Sequence, residues 1–332
     1  MTHVLITGGL GFLGSNLADR LIGDGHSVVL LDDLSTGRMN NLIHLYRRHP
    51  KEASKGKILF VNVDITESKN KIFQEVDKVK KFGRIQEIYH LACPASPPKY
   101  YLNPLKTLDI NYVGTQNILK LAKAYNIKVL FTSTSEIYGD PLVHPQPESY
   151  NGNVDPLSPR SVYDEGKRVA ETLVSEYGRQ GLRTRIVRIS NTYGPRMDPY
   201  DGRVVTNFIK QCLAGRNITV YGDGSQTRSL CYVDDNIDGL IKVMGNNDFF
   251  NVAVNVGNSD EITMLDLAKK IKGLTGSWKS EIVFEPLPVS DPKQRQLDFA
   301  KLRTTGWSPE VSMDDGLKKT IDYMKSELEL ML

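Results

Sequence analysis

The chain has 332 residues, 40% hydrophobic and 24% charged, which suits a soluble globular protein of about two domains, or one large α/β domain with a smaller lobe. A formal net charge of +3 and a pI near 8.5 are too mild to imply nucleic-acid binding, and no apolar run reaches the ~18 residues of a membrane span. Cys93, Cys212 and Cys231 form neither a metal-ligand spacing nor an even set, so a reduced, cytosolic setting is expected.

The first predicted element is a buried strand over residues 3–7, and it opens the chain so directly that no signal peptide is expected. Gly8-Gly9-Leu10-Gly11-Phe12-Leu13-Gly14 follows, then a helix from Ser15 to Ile22 with Leu17, Ala18, Leu21 and Ile22 on its apolar face. Strand, glycine turn and helix in this order make a dinucleotide-binding context. The glycines let the backbone approach a pyrophosphate, and the helix N-terminus offers N–H groups and positive potential. A second strand, Ser27–Leu31, ends at Asp32-Asp33, with Asp32 lying 18 residues beyond Gly14 (32 − 14). A carboxylate there accepts both ribose hydroxyls and repels a 2′-phosphate, so NAD is expected rather than NADP. The competing role for Asp32 is a helix cap.

The basic insert over residues 40–57, with Arg47-Arg48-His49-Pro50-Lys51, reads as solvated surface. A strand at Ile58–Asn62 leads to Asp64-Ile65, where a carboxylate can face an adenine amino group. A charged helix is expected over 67–84 and a strand over Ile85–Ala92, followed by a rigid loop of small residues and prolines to Pro98, lying over the cofactor. A single helix is expected from Pro104 to Tyr125, with Leu105, Leu108, Val113, Ile118, Leu119 and Ala122 inward. The strand Lys128–Thr132 then delivers Ser133–Gly139 at its carboxyl end, where doubly wound sheets place ligands.

Loop 141–160 crosses to Tyr163-Asp-Glu-Gly-Lys167. Residues four apart share a helix face, so a phenol and an ammonium sit side by side. The ammonium favours phenolate and draws the tyrosine pKa towards neutrality. A phenolate can take a proton from an alcohol while its hydride leaves for a nicotinamide. The bland alternative is a surface Tyr and Lys on an amphipathic helix. After a strand at Arg183–Ile189 the pattern loosens. A helix at Val205–Ala214, strands at Thr219–Tyr221 and Ser229–Val233 and a final helix at Met313–Leu330 are expected there. The expected fold is therefore α/β: a doubly wound parallel Rossmann sheet over 1–190 and a smaller mixed α/β lobe over 191–332. A strand at Val252–Val256 would return to the main sheet and interleave the two.

Thr7–Gly14, Ser133–Gly139, Tyr163-x-x-x-Lys167 and Asn191–Pro195 together resemble the extended short-chain dehydrogenase/reductases of the nucleotide-sugar branch, over nearly the whole chain. Cys93–Pro97, Tyr163–Arg168 and Asp201–Val205 narrow the likeness to the UDP-glucuronate decarboxylases, also called UDP-xylose synthases; the insert at 40–57 is longer than that pattern. The resemblance implies NAD as cofactor, UDP-glucuronate as substrate, no metal, and a homodimer with a four-helix interface built from the 104–125 and 163–177 helices. It implies a cofactor site of Gly8, Gly11, Phe12, Leu13, Gly14, Asp32, Asp33, Ser35, Thr36, Gly37, Asp64, Ile65, Leu91, Tyr163, Lys167, Thr192 and Arg203. Its implied substrate site is Pro94, Ser96, Asn191, Arg203, Arg228 and Arg295.

In the implied reaction Tyr163, helped by Lys167, deprotonates the sugar C4 hydroxyl, and the resulting ketone, beta to the C5 carboxylate, loses carbon dioxide. Thr134 hydrogen-bonds the C4 oxygen. Ser135-Glu136 stands where related 4,6-dehydratases carry Asp-Glu. Serine is a poor acid, so loss of water is disfavoured, and Glu136 is left to order a water or guide protonation at C5. A guanidinium suits an anion, so Arg228 faces the diphosphate or the sugar carboxylate and Arg295 the diphosphate. Three alternatives stay open at this point: a C4 epimerase of a UDP-sugar acid, a decarboxylase that releases the 4-keto pentose and NADH, and a non-catalytic NAD sensor on the same fold.

Overall fold

Seven parallel strands form the central sheet in a computed structural model that describes residues 2–79, 83–287 and 294–329. In chain order they begin with β1 (His3–Thr7), β2 (Ser27–Asp32), β3 (Ile58–Asn62), β4 (Ile85–His90), β5 (Lys128–Thr134) and β6 (Thr184–Ile189). The chain then leaves the sheet for β7 (Asn191–Tyr193), β8 (Ile218–Tyr221) and β9 (Thr227–Tyr232), and returns as β10 (Ala253–Val256), beside β6. The order across the sheet is β10-β6-β5-β4-β1-β2-β3. Succession reverses between β1 and β4, and the crevice beyond the carboxyl ends there is the ligand site of such sheets.

Both faces of the sheet need cover because alternate side chains point opposite ways. Val4 and Ile6 enter one hydrophobic cluster and Leu5 the other, and all three are fully buried. The first cluster takes Leu17, Ala18 and Leu21 from the helix Phe12–Gly23 and Ile237 and Leu240 from Val233–Gly245; the second takes Ile118, Leu119 and Ala122 from Thr115–Tyr125 and Ala170 and Val174 from Ser161–Arg179. In the smaller lobe, β9 is flanked by β7, by antiparallel β11 (Glu261–Thr263) and, beyond β12 (Ile282–Glu285), by parallel β13 (Gln294–Arg295), while β12 pairs with β8.

The helix expected over Pro104–Tyr125 is three segments: Pro104–Asp109, a π-helical turn at Ile110–Gly114, and Thr115–Tyr125. A Cβ on Gly114 would come 2.6 Å from Ile65 Cδ1, so the wider turn lies where this helix presses on the segment after β3. Leu105, expected inward, is 74% exposed, whereas Ile118, Leu119 and Ala122 are buried. The insert forms helices at Met39–Arg48 and Pro50–Ser54, and part of its charge run is used internally. Arg48 Nε at 3.0 Å and His49 Nε2 at 2.7 Å reach the Asp19 carboxylate, which also holds Arg196 at 3.0 Å. The helix expected over 67–84 covers Lys69–Val79 and the final one covers Met313–Glu329; residues 80–82 and 330–332 lie outside the described ones. No helix among the described residues is long and apolar enough to cross a membrane.

Candidate active site

A cleft of about 720 Å³ lies at the reversal between β1 and β4 and is walled on its far side by the smaller lobe. One wall is the glycine turn. Gly8 has φ +67°, and a Cβ on Gly14 would stand 2.1 Å from the Gly8 carbonyl oxygen, so neither position admits a side chain without moving the turn. Gly11, Phe12 and Leu13 continue this wall into the N-terminus of the helix Phe12–Gly23, whose backbone N–H groups and dipole favour a diphosphate.

Asp32 lines the cleft together with Asp33, Ser35 and Thr36. It also has a structural task, since Oδ2 accepts the Leu10 N–H and Oδ1 the Leu34 N–H, both at 2.9 Å, tying the glycine turn to the loop after β2. Gly37 does not line the cleft; a Cβ there would come 2.4 Å from Asp32 Oδ1, so this glycine makes room for the carboxylate. Asp64 and Ile65 line the cleft where an adenine was expected, but Asp64 Oδ1 already accepts the Thr66 N–H and hydroxyl at 2.8 Å and Oδ2 is paired with Lys106. Substituting Asp32→Ala should therefore do two things. NAD binding weakens and the gap to NADP narrows, and the melting temperature falls, because the buried Leu10 N–H loses its acceptor at about 1–3 kcal/mol and the half-buried Leu34 N–H loses its own at a smaller cost. Titration of both dinucleotides with a thermal melt checks this; a parent protein that prefers NADP would remove the ribose role.

Several buried polar atoms without a partner among the described residues border the same cleft: Arg38 Nη1, Ser96 Oγ, Tyr100 OH, Ser133 Oγ, and Nε and Nη2 of Arg295. A glycine turn, an acidic strand end and a band of unpaired donors fit a dinucleotide beside a second, anionic ligand.

Tyr163 and Lys167 share one face of the helix Ser161–Arg179, and both line the cleft. The Tyr163 ring stacks on Tyr100 with centroids 5.2 Å apart and planes 8° from parallel. Lys167 Nζ lies 5.9 Å from the Tyr163 ring centroid and donates to the Thr132 carbonyl at 2.9 Å. The expected fall of the phenol pKa is reversed here. Burial pushes it well above its ordinary value, the nearby Cys93 and Glu136 add to the rise, and a hydrogen bond with Thr134 and the Arg203 charge oppose it. Burial also lowers the Lys167 ammonium. The phenol is thus protonated as it stands, and further positive charge is needed before it serves as a base.

Thr134 and Glu136 line the cleft, but Ser135 between them does not; it is 1% exposed at the start of the 3₁₀ turn Ser135–Tyr138. Its expected place in the site is corrected accordingly, since the backbone turning out of β5 sends neighbouring side chains to different sides. Glu136 is gripped by two guanidiniums, Arg160 Nη2 on Oε2 and Arg295 Nη1 on Oε1. Burial alone raises its carboxyl, yet Arg295 and Arg160 outweigh burial and hold it well below the usual carboxylate range. An ionised Glu136 cannot itself give a proton at neutral pH, so of the expected roles it is left with ordering a water or guiding protonation at C5.

Leu91, Pro94, Ser96, Asn191, Thr192, Arg203, Arg228 and Arg295 all border the cleft. The Thr192 hydroxyl is engaged on the protein side, donating to the Ser190 carbonyl at 2.9 Å and accepting from Asn236 Nδ2 at 2.8 Å. Arg203 is paired with Asp201, and Arg228 Nη1 donates to the Thr227 carbonyl at 2.8 Å. Sequence reading missed Tyr100 and Arg160. The Pro97-Pro-Lys-Tyr-Tyr101 run and the Arg standing three residues before Tyr163 were the available signals, but neither names its partner. Among the described residues no cluster of three or more His, Cys, Asp or Glu could hold a metal ion.

The NAD dependent epimerase/dehydratase family model matches residues 4–257. The chain is 47% identical over 329 residues to UDP-glucuronic acid decarboxylase 1 of Danio rerio, covering 98% of this chain and 73% of that protein. It is 48% identical over 318 residues to UDP-glucuronic acid decarboxylase 3 of Arabidopsis thaliana, covering 95% and 86%. The solved structure of UDP-glucuronic acid 4-epimerase from Bacillus cereus, in complex with UDP-glucuronic acid and NAD, superposes with a TM-score of 0.83 at 26% identity, covering 98% and 100%.

Proposed function

The chain belongs to the NAD dependent epimerase/dehydratase family, and from that premise we propose that it is an enzyme that decarboxylates UDP-glucuronate to UDP-xylose through a 4-keto intermediate, using NAD. The observation that carries this reading is the ionised Glu136 held between Arg160 and Arg295 beside Tyr163. It makes a cationic end to the cleft that suits a sugar carboxylate, and it offers no acid to expel a hydroxyl, as dehydration requires. Identity of 47–48% to decarboxylases against 26% to the acid 4-epimerase favours loss of carbon dioxide over epimerisation.

NAD, held by the Gly8–Gly14 turn and Asp32, would supply the hydride acceptor and donor for C4, and the positive charge of its oxidised ring would favour the Tyr163 phenolate. Tyr163 takes the C4 hydroxyl proton and gives it back at the end. Thr134 holds the C4 oxygen. Lys167, fixed on the Thr132 carbonyl, orients Tyr163 and keeps a positive field over it. Arg228 and Arg295 receive anionic groups of the substrate, and Glu136 aims a water or a guanidinium at C5. Incubation with UDP-glucuronate and NAD, with products resolved by mass spectrometry and NMR, tests the reading. Loss of one carbon dioxide is expected; a UDP-sugar acid inverted at C4 would overturn it.

The assembly we propose is a homodimer. The Pro104–Asp109 and Ser161–Arg179 helices pack side by side, and Leu102 at 81% exposure ends the preceding helix Pro97–Leu102, while Leu105 at 74% and Tyr112 at 47% lie on the first of these segments and the turn that follows. A two-fold partner is the commonest cover for such a surface. Sedimentation at micromolar concentration should give twice 37.2 kDa, and a stable monomer would rule the dimer out. The three cysteines are free thiols, which supports a reducing, cytosolic setting.

A further inference from the structure

Glu136 has two arginine partners, and they come from different parts of the fold. Arg160 stands immediately before the helix Ser161–Arg179, and its carbonyl accepts the backbone N–H groups of Tyr163 at 3.0 Å and Asp164 at 3.2 Å. Its guanidinium holds Glu136 Oε2. One residue therefore ties the first turn of the helix that carries Tyr163 to the carboxylate across the cleft. Arg295 comes from the smaller lobe, on a two-residue strand paired with β9, and among the described residues its Nε and Nη2 have no partner.

We propose that Arg160 is a positioning residue of the site: it is the fixed partner that keeps Glu136 ionised and aimed, leaving Arg295 to exchange Glu136 for an anionic group of the substrate. The inference rests on the decarboxylase reading. The charge count supports it. Glu136 with Arg160 is neutral, so the Arg295 charge is left over to meet a carboxylate. Without Arg160, Glu136 would neutralise Arg295 and repel the incoming anion. The other titratable groups whose charges act with Glu136 are Tyr163 and Asp164 on the Tyr163 helix, Tyr100 on Pro97–Leu102, and Arg203. Burial, with the Glu136 charge, pushes the Asp164 carboxyl up to about 7, so it is only partly ionised near neutral pH and leaves the cluster with net positive charge.

The test is a double-mutant cycle on the full chain: Arg160→Gln, Glu136→Gln and the pair, each assayed for carbon dioxide release across pH, with NAD affinity measured by titration. Arg160→Gln should lower kcat about 10²-fold, as misplacement of a reacting group does. Its acid limb should move up in pH, because the carboxyl has lost a cation, and NAD affinity should hold. Arg160→Lys should return the limb towards that of the parent. The pair should be no slower than Glu136→Gln alone, because Arg160 acts through Glu136; this variant removes both charges together and keeps that comparison available if Arg160→Gln does not fold. An unmoved acid limb, or a pair whose losses multiply, overturns the inference. Absence of carbon dioxide release by the parent protein instead overturns the decarboxylase reading, and the two failures are told apart by that first assay.

Discussion

Tyr163→Phe is expected to slow turnover of UDP-glucuronate by roughly 10²–10⁴-fold, the usual span of a general acid–base group, while leaving the fold and NAD binding nearly unchanged. The ring makes the structural contacts here. It is 6% exposed and stacks on Tyr100, and phenylalanine keeps that stack. The hydroxyl is the part of Tyr163 that meets Thr134 and the field of Glu136 and Arg203. Steady-state assay with NAD titration and a thermal melt separates the two contributions. Near-parental turnover would take Tyr163 out of the chemistry. The same tyrosine offers a spectroscopic check. Because burial holds the phenol up in the protein alone, its ultraviolet ionisation should move to lower pH when NAD binds, and the Phe variant should lack that transition.

Glu136→Gln is the second large effect. Removing the charge leaves Arg160 and Arg295 facing each other across a neutral amide, and in this half-buried cluster that loss lowers stability by up to about 3–5 kcal/mol, the cost for a fully buried pair. The variant should still bind NAD and form some NADH in a single turnover, yet make UDP-xylose roughly 10²-fold more slowly, because the groups that guide C5 protonation are no longer held in place. Stopped-flow absorbance alongside carbon dioxide release checks the order of steps; parental UDP-xylose production would dismiss the role. The stability difference has a defined pH dependence. Arg295 and Arg160 depress the folded-state carboxyl. Its contribution is therefore complete above the usual carboxylate range and is lost as pH falls through the lowered folded value. The gap in melting temperature between parent and variant should close on acidification.

Much of the architecture is legible in the sequence because it is encoded over short distances. Strand, Gly8–Gly14 turn and helix follow from local periodicity and from positions that exclude a Cβ. The Tyr163–Lys167 pairing follows from helical spacing, and Asp32 from its distance beyond Gly14. Side chains standing at strand ends of a parallel sheet converge on one edge, so most of the residues named from motifs border one cleft.

What only the tertiary structure decided involves partners far apart in the chain. Arg160 is 24 residues and Arg295 159 residues from Glu136, and no spacing rule links either to it. Their convergence makes Glu136 a fixed anion held from two sides. The Tyr163 pKa was misjudged for a related reason. An i,i+4 ammonium is a local feature, but burial, with the neighbouring Cys93 thiol and Glu136 carboxylate, belongs to the assembled cleft and raises the phenol. Ser135 and Leu105 differ from expectation because the 3₁₀ turn after β5 and the π-helical turn at Ile110–Gly114 change the phase of the backbone. Sequence determines which groups a segment carries and how it winds. The direction in which those groups point, and the field they meet, is settled by packing against segments that only the fold brings near.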